Sequence, residues 1–305
     1  MITAARNNYR FADITLQSNT HLGGLVAADE FATPDVTITV RPPRRLDCRT
    51  EFGRCAVSAD GTLTMDLPPV GRFHLSATES SIVVEPFADV GESIMRHVVV
   101  DLALSRWLAM KGRPALHATA VQVGGAVVAF LAASGGGKST LSGALVANGD
   151  RWVADDLLLL DVQASQTLAI PTVVSTRLLA DSACALGVDR DAGEVIAGSA
   201  SKRRWEVEPV DKPSPLTCMF FLDRREGPDG DVVASPMANH EVLAALAVHW
   251  FLTGTGVVAP LTFLTTMAAL VRTTRMLRLS YPSSYSALPQ VIDVVRREAS
   301  VGVAA

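Results

Sequence analysis

The chain has 305 residues, 49% of them hydrophobic and 19% charged, and a formal net charge of −4 at pH 7. This length can form one large or two modest domains, and the negative charge argues against a dedicated nucleic-acid-binding protein. The first residues lack the basic and apolar pattern of a signal peptide, so we expect a cytoplasmic protein. The cysteines form no C-x-x-C pair, which favours reduced thiols over a disulfide framework or a cysteine metal site. They are Cys48, Cys55, Cys184 and Cys218.

Residues 1–90 predict a β-rich N-terminal domain, because short alternating or β-branched runs lie between turn residues. Over residues 91–111 the apolar residues recur at a spacing near 3.6, which predicts a helix that ends before Pro114. We expect a second domain of the α/β class over residues 91–305. The predicted strands of the first domain are Phe11–Leu16, Val36–Val40, Leu63–Leu67, Phe73–Ala77 and Ile82–Val84.

Two apolar strands joined by a tight turn come next in the chain. The runs Leu116–Val123 and Val127–Leu131 flank a glycine pair at 124–125, which is typical of a two-residue hairpin. His117 lies in the first strand, and the hairpin brings that strand beside the one that leads into residues 132–139. A histidine in an apolar strand is more often a core residue than a functional one, so the interest of His117 depends on its neighbours.

Residues 132–139 read Ala-Ala-Ser-Gly-Gly-Gly-Lys-Ser and match the phosphate-binding pattern G-x-x-x-x-G-K-S/T, except that Ala132 replaces the first glycine. A strand end can give Ala132 the negative φ that its methyl group needs. The glycines let the backbone curl into a nest of N–H groups, and the helix expected over 138–148 adds its positive end. We expect Lys138 to reach the β- and γ-phosphates of ATP and Ser139 to bind Mg²⁺. The predicted nucleotide-binding residues are Ser134, Gly135, Gly136, Gly137, Lys138, Ser139 and Thr140.

Two adjacent carboxylates, Asp155 and Asp156, follow this helix at the end of a short apolar strand. Phosphoryl transfer needs a group that orients or deprotonates the acceptor hydroxyl, and acidic side chains that help to hold magnesium. Paired acids are costly to bury without a cation, so this pair fits a metal site better than a core position. His117 is able to hydrogen-bond one of them and tune the group that takes the proton. Arg177 is a further candidate for a residue whose side chain points into the site.

Beyond residue 161 the pattern predicts further strands and helices. The run Val242–Val271 contains no Asp, Glu, Lys or Arg, but its interruption at Gly254–Gly256 favours two buried helices over a membrane span. The predicted strands are Leu168–Thr176, Cys218–Leu222 and Met276–Leu279, and the predicted helices cover 177–187, 241–253, 259–272 and 286–299.

Together these motifs resemble the catalytic core of the HPr kinase/phosphorylase family. The segment Leu116–Ala120, the glycine turn, the loop and the strand Val153–Asp156 follow that family's order at similar spacing, over about residues 115–161. The resemblance is faint in the rest of the second domain and absent from the first. It implies an α/β P-loop kinase core of HPr-kinase type, preceded by the β-rich N-terminal domain.

The resemblance also implies roles for individual residues. Lys138 and Ser139 hold the phosphates and Mg²⁺, and Asp155 is a further metal ligand. Asp156 or Asp155 acts as the base toward a serine hydroxyl, and His117 supports it. The catalytic set implied in this way is His117, Lys138, Asp155 and Asp156.

Two departures from the family pattern bear on the reaction. Gly149 and Asp150 stand where the family usually carries Gly-His, and the family's Glu-x-Arg-Gly-Leu-Gly segment has no counterpart, its nearest equivalent being Ile170–Arg177. That segment belongs to the reverse, phosphorylase reaction, so we expect neither this reaction nor HPr as substrate. The chain is more similar to divergent HPr-kinase-like proteins of peptide natural-product biosynthesis, some of which phosphorylate a serine of a precursor peptide.

We therefore expect an ATP- and Mg²⁺-dependent kinase that phosphorylates a serine hydroxyl of a peptide or protein. A kinase for a small-molecule hydroxyl would have the same core, and a nucleotide-binding regulator without transfer activity is a third possibility. We expect no nucleic-acid or membrane partner. A homo-oligomer is compatible with the resemblance.

Overall fold

The structure is a computed structural model. It describes residues 6–23, 25–43, 55–88, 90–172, 175–187, 193–195, 202–208, 210–227, 230–251 and 260–301. The chain divides into two compact units, Met1–Arg113 with Phe251–Pro260, and Pro114–Trp250 with Leu261–Ala305. The helical segment that follows residue 91 therefore groups with the first unit, whereas the boundary expected from the sequence lay at residue 90.

The first unit contains one eight-stranded sheet in the order β3-β1-β2-β4-β8-β7-β6-β5, in which β2, β4 and β8 are parallel neighbours. The single strand predicted over Phe11–Leu16 is wrong, because the chain turns at Ala12, whose φ is +52°, and Phe11 pairs with Ile14. The strands are β1 (Asn7–Phe11), β2 (Ile14–Ser18), β3 (Val26–Ala27), β4 (Val36–Val40), β5 (Cys55–Val57), β6 (Leu63–Leu67), β7 (Gly71–Ser76) and β8 (Ser81–Pro86).

The helix predicted over 91–111 is present, with an irregular middle. It comprises α1 (Glu92–His97), a π-helical stretch (Val98–Leu104) and α2 (Ser105–Met110). Most of its apolar side chains are buried, and Trp107 Nε1 donates a 3.0 Å hydrogen bond to the backbone carbonyl of Ser76 in β7. The 3.6-residue period thus identified the helix, although it gave no sign of the π turn.

The second unit contains a nine-stranded mixed sheet, a three-stranded sheet and helices. Its strands are β9 (Ala115–Leu116), β10 (Thr119–Val123), β11 (Ala126–Leu131), β12 (Arg151–Ala154), β13 (Leu158–Val162), β14 (Thr167–Ile170), β15 (Ser175–Leu179), β16 (Glu194–Val195), β17 (Lys202–Glu206), β18 (Ser214–Arg225), β19 (Val233–Pro236) and β20 (Arg275–Pro282). Its helices are α3 (Lys138–Ala147), α4 (Ala180–Ala185), α5 (Asn239–His249), α6 (Pro260–Thr273) and α7 (Leu288–Val301), with a 3₁₀ turn at Tyr285–Ala287.

Helices cover both faces of the larger sheet, and its strand β11 is fully buried as the apolar sequence predicts. Alternate residues of β11 belong to different apolar clusters. One cluster contains Val127, Ala129 and Leu131 with Val242, Leu246, Met267 and Leu270 of α5 and α6. The other contains Val128 and Phe130 with Leu141, Ala144, Leu145, Val291 and Val295 of α3 and α7. The fold is therefore mixed α/β with several sheets, as expected for its class.

Strands β11, β18 and β20 run parallel, so their carboxyl ends lie at the same edge of the sheet. The remaining partners are antiparallel: β10 pairs with β11 and β12, β14 with β13 and β18, and β19 with β20. The smaller sheet has the order β15-β17-β16. The segment after β11 is thus placed at an edge where three strands end together, a common position for ligand sites in α/β sheets.

Three local predictions in this unit are wrong. The strand expected over Leu116–Val123 is two strands, because β9 pairs with β13 whereas β10 pairs with β11, and His117 lies at the break. The strand expected over Leu168–Thr176 is divided between two sheets, since Pro171 has no N–H to continue the ladder. The helix expected from residue 177 begins at Ala180, because the preceding residues form β15 against β17.

The other predicted strands and helices of this unit are present within a few residues of the expected bounds. The interruption expected at Gly254–Gly256 lies outside the described residues. Within the described ranges, no helix combines the length and apolar character that crossing a bilayer requires.

Candidate active site

The loop between β11 and α3 depends on its glycines. Gly135 and Gly137 have φ values of +79° and +94°, which side-chain-bearing residues rarely adopt. A Cβ atom on Gly136 would lie 2.6 Å from the Cβ atom of Ala132. The positive-φ residues other than glycine in the described chain are Ala12, Ser80 and Asp156, so Ala132 keeps the ordinary backbone expected of it.

Lys138 is the first residue of α3, and its side chain returns to the start of the loop. It is only 6% exposed, and its Nζ atom donates a 2.9 Å hydrogen bond to the backbone carbonyl of Ala132. The same Nζ atom lies 3.4 Å from His117 Nε2. The Lys138 ammonium group is thereby held at the N-terminal end of α3. The helix dipole favours an anion at this end, and the lysine charge favours one too.

Asp155 is the most heavily hydrogen-bonded carboxylate of this region. Its Oδ1 atom accepts hydrogen bonds from Thr119 Oγ1 at 3.2 Å and Ser139 Oγ at 3.4 Å. Its Oδ2 atom accepts from Thr176 Oγ1 at 2.8 Å and from the backbone N–H of Arg177 at 3.2 Å. Burial raises the pKa of Asp155, and the neighbouring carboxylate of Asp156 raises it further. The Arg177 charge and the hydrogen bonds from Thr176 and the Arg177 N–H oppose this shift.

Asp156 has a different environment, although it is the next residue in the chain. Its backbone has a φ of +64°, uncommon for a residue other than glycine. Its carboxylate forms an ion pair with the guanidinium of Arg177, and its side chain is 31% exposed. The turn therefore directs two consecutive carboxylates to different partners.

His117 connects the carboxylate turn to the loop lysine. Its Nδ1 atom lies 3.1 Å from the backbone carbonyl oxygen of Asp156, which can only accept, so Nδ1 is the donor and Nε2 accepts from Lys138. The sequence predicted a bond to an aspartate side chain, whereas this contact is with the backbone. Burial lowers the pKa of His117, and the Lys138 charge lowers it further, which favours this neutral tautomer.

His249, at the end of α5, packs beside His117. The ring centroids are 6.4 Å apart, and the His117 backbone N–H donates a 2.7 Å hydrogen bond to the His249 carbonyl. Burial, together with the charges of His117 and Lys138, lowers the pKa of His249 to about 4. Burial and the Lys138 charge thus disfavour the protonated form of both rings.

Of the remaining predicted residues, Ser134 lies in the loop and Thr140 in the first turn of α3. Ser134 is exposed. Thr140 Oγ1 lies 2.8 Å from Ser182 Oγ, which lies 3.4 Å from the Tyr285 hydroxyl. Thr140 is thus joined to a chain of hydroxyl groups at the side of the loop.

Several residues that contact the predicted set were missed by the sequence reasoning. Thr119 and Thr176 hold Asp155, His249 stacks on His117, and Arg224 Nη1 donates a 3.2 Å hydrogen bond to the Gly135 carbonyl. Thr119 lies two residues after His117 in the sequence. Its hydroxyl group is a hydrogen-bond donor, so this position could have been recognised as a candidate partner of the acidic pair. Nothing local marks Thr176 or Arg224, because strand pairing brings them to the site from distant segments.

The donor set near the loop suits Mg²⁺ better than a transition metal. Among the described residues, no group of three or more His, Cys, Asp or Glu side chains is arranged to hold a metal ion. Ser139 Oγ and Asp155 Oδ1 are hard oxygen donors 3.4 Å apart. Mg²⁺ usually takes one or two such protein ligands and completes its shell with water and phosphate oxygens, so these residues fit it.

Comparisons with known proteins find similarity among solved structures alone. No family model matches the sequence, and no curated protein matches it. Among solved structures, the fold is similar to that of the Hpr(Ser) kinase/phosphatase from Coxiella burnetii, with a TM-score of 0.31 and 12% sequence identity, over 60% of this chain and 94% of that chain. A likeness at this level assigns neither a family nor an activity.

Proposed function

We propose that the chain is a kinase that transfers the γ-phosphoryl group of ATP to a hydroxyl group, and that its second unit is a P-loop core of HPr-kinase type. The observation that carries the proposal is the contact set of the loop. Lys138 Nζ joins the two ends of the loop, and Ser139 Oγ lies 3.4 Å from Asp155. Phosphate-binding groups and acidic groups thus meet at one strand edge.

Nucleotide binding is assigned to the loop and the start of α3. The backbone N–H groups of the loop, the dipole of α3 and the Lys138 charge all favour a polyphosphate here, although the Gly136 N–H already donates to the Ala133 carbonyl at 3.0 Å. Ser139 and Asp155 would hold Mg²⁺, which neutralises charge on the phosphates when it is bound. Burial and the Asp156 charge raise the pKa of Asp155, so a nearby cation would stabilise its charged form.

Asp156 is the better candidate for the group that takes the acceptor proton. Asp155 is already assigned to the proposed metal site with Ser139, and the hydroxyl groups of Thr119 and Thr176 hold its carboxylate in place. Asp156 instead has a partly exposed carboxylate that an ion pair with Arg177 orients. His117 donates to the Asp156 carbonyl, so we assign it a positioning role that fixes this strained turn.

The acceptor is proposed to be a serine of a peptide or protein. Support for this part comes from the motif order over residues 115–161, which resembles serine kinases of HPr-kinase type. A precursor peptide of natural-product biosynthesis is the specific substrate class that we favour. The rate gain would come from positioning and charge stabilisation, because phosphoryl transfer needs little covalent help from the protein.

The direct test is a transfer assay with Mg²⁺ and ATP on serine-containing peptides, including small peptides encoded next to this gene, and on amino acids, sugars and nucleosides. A mass gain of one phosphate on a peptide serine would support the proposal, whereas a gain on a metabolite would indicate a small-molecule kinase. Lys138→Ala is expected to abolish transfer, and Lys212→Ala, at an exposed lysine, is the matched control. A chain that binds Mg²⁺-ATP but phosphorylates nothing would contradict the proposal and favour a nucleotide-binding regulator.

A further inference from the structure

Arg224 approaches the candidate phosphate loop from the neighbouring strand. Strands β11 and β18 are parallel, with Leu131 paired to Phe221, so β18 continues beyond the point where β11 gives way to the loop. Arg224 lies on this extension, opposite Tyr281 of β20. The topology therefore brings an arginine to the strand edge from which the loop starts.

The Arg224 side chain lies against the loop glycines. Its Nη1 atom donates to the Gly135 carbonyl at 3.2 Å, and its Nη2 atom donates to Ser283 Oγ. A Cβ atom on Gly137 would lie 3.1 Å from both Arg224 Cδ and the Tyr281 hydroxyl. Burial raises the pKa of Tyr281 to about 12, so this hydroxyl keeps its proton and stays a donor at pH 7.

The hydrogen-bond partners of Arg224 differ in charge from the partner of Arg177. Arg177 pairs with the carboxylate of Asp156. The two Arg224 contacts are with neutral oxygen atoms, the Gly135 carbonyl and the Ser283 hydroxyl. A phosphate brings a negative charge that these two oxygen atoms lack, and the fork of N–H donors on the guanidinium fits phosphate oxygens. A phosphate therefore competes well for this guanidinium.

We propose that Arg224 is a second phosphate-binding cation of the loop, which contacts the terminal phosphates of the nucleotide alongside Lys138. This assignment rests on the proposed nucleotide binding at residues 132–140. Because its proposed contact is with the terminal phosphates, Arg224 would distinguish nucleotides by the number of their phosphates. ATP would make the full contact with Arg224, ADP would make part of it, and AMP would not reach Arg224.

The test compares Arg224→Gln with Arg225→Gln, because Arg225 is the adjacent residue, carries the same charge and donates instead to the Asp231 carbonyl. Dissociation constants for ATP, ADP and AMP are measured with Mg²⁺ by calorimetry on the full chain. Arg224→Gln is expected to weaken ATP binding about 10- to 100-fold, the range of a lost hydrogen bond to a charged group, with a smaller effect on ADP and none on AMP. Arg225→Gln is expected to change none of the three, and Arg224→Lys should restore part of the ATP affinity.

Unchanged ATP affinity in Arg224→Gln, or an equal loss for ATP and AMP, would overturn the assignment. Thermal unfolding of each variant shows whether the fold is retained. Lys138→Ala separates this outcome from failure of the proposed function. If Lys138→Ala loses ATP and Arg224→Gln does not, only the Arg224 assignment fails. If the wild type binds no ATP, the proposed function fails as well.

Discussion

The guanidinium of Arg177 forms an ion pair with the carboxylate of Asp156. The same residue donates its backbone N–H to Asp155, so it contacts both members of the acidic pair. The two side chains of the ion pair are 16% and 31% exposed, which makes the pair partly buried. Without the guanidinium, two neighbouring carboxylates would repel each other in a poorly solvated turn.

Arg177→Gln is therefore expected to lower the free energy of unfolding by about 1–3 kcal/mol in EDTA, less than the loss of one partner from a fully buried pair. Mg²⁺ should restore part of that stability, because the metal replaces the missing cation. Arg278→Gln is the control, since Arg278 pairs with Glu241 in an ion pair with side chains 44% and 40% exposed. This exposed pair should contribute little to stability, because water and salt screen it. Urea unfolding that gave equal losses for both variants would contradict the prediction.

Asp156→Asn is expected to reduce phosphoryl transfer by about 10²- to 10⁴-fold, the usual contribution of a general base. ATP affinity should stay within about twofold of the wild type, because Asp155 and the loop are intact. Asp161→Asn, at an exposed position in β13, is the matched control and should leave both quantities unchanged. The measurements are single-turnover transfer rates and ATP titrations. Full turnover by a variant with both Asp155 and Asp156 changed to Asn would exclude the proposed base.

The parts of the site that the sequence predicted are those encoded in one continuous segment. Strand β11, the loop and α3 follow each other within 22 residues, from Ala126 to Ala147, and each has a local signal. Six apolar residues indicate the strand, glycines indicate the curl, and Lys138-Ser139 begins the helix. These features depend on backbone sterics and side-chain size, which neighbouring residues determine.

The parts that the sequence missed depend on pairing between distant strands. Thr176 reaches Asp155 because β15 pairs with β17, although Ser175–Leu179 gives no strand signal strong enough to exclude a helix. His117 lies between strands with different partners, a break that the continuous apolar pattern does not reveal. Arg224 is one of two adjacent arginines, and only the register of β18 decides which one contacts the loop.

Gly137→Ala should impair nucleotide binding beyond its effect on stability. Gly137 and Gly149 have φ values of +94° and +95°, so alanine is strained by about 1–2 kcal/mol at either position. A Cβ atom at Gly149 meets no atom within 4 Å, whereas one at Gly137 meets Arg224 and Tyr281 at 3.1 Å. Both variants should lose similar stability in urea, but only Gly137→Ala should weaken ATP binding, by more than about tenfold. Equal ATP affinities would show that the loop conformation tolerates the methyl group.

The stability of the chain should fall at acid pH, in part because of His249. Burial and the charges of His117 and Lys138 hold the pKa of His249 at about 4, below its ordinary value of 6.5. Below pH 6.5 the unfolded chain binds a proton at this residue that the folded chain does not, so the free energy of unfolding decreases as the pH falls from 6.5 to 4. One proton sets an upper limit of about 1.4 kcal/mol per pH unit, which solvent screening reduces at a partly exposed ring.

His249→Gln should remove this component and flatten the pH dependence between pH 6.5 and 4, while the wild type and the variant differ by a constant amount above pH 7. The comparison reports the titration of His249 together with its electrostatic coupling to His117, which lies beside it. His240→Gln is the matched control, since His240 lies on the same helix, α5, and is exposed. Its curve should follow that of the wild type. Urea unfolding at pH 7.5, 6.0 and 5.0 gives the slope of the free energy of unfolding against pH. Parallel slopes for His249→Gln and the wild type would show that the folded state does not exclude a proton from this ring.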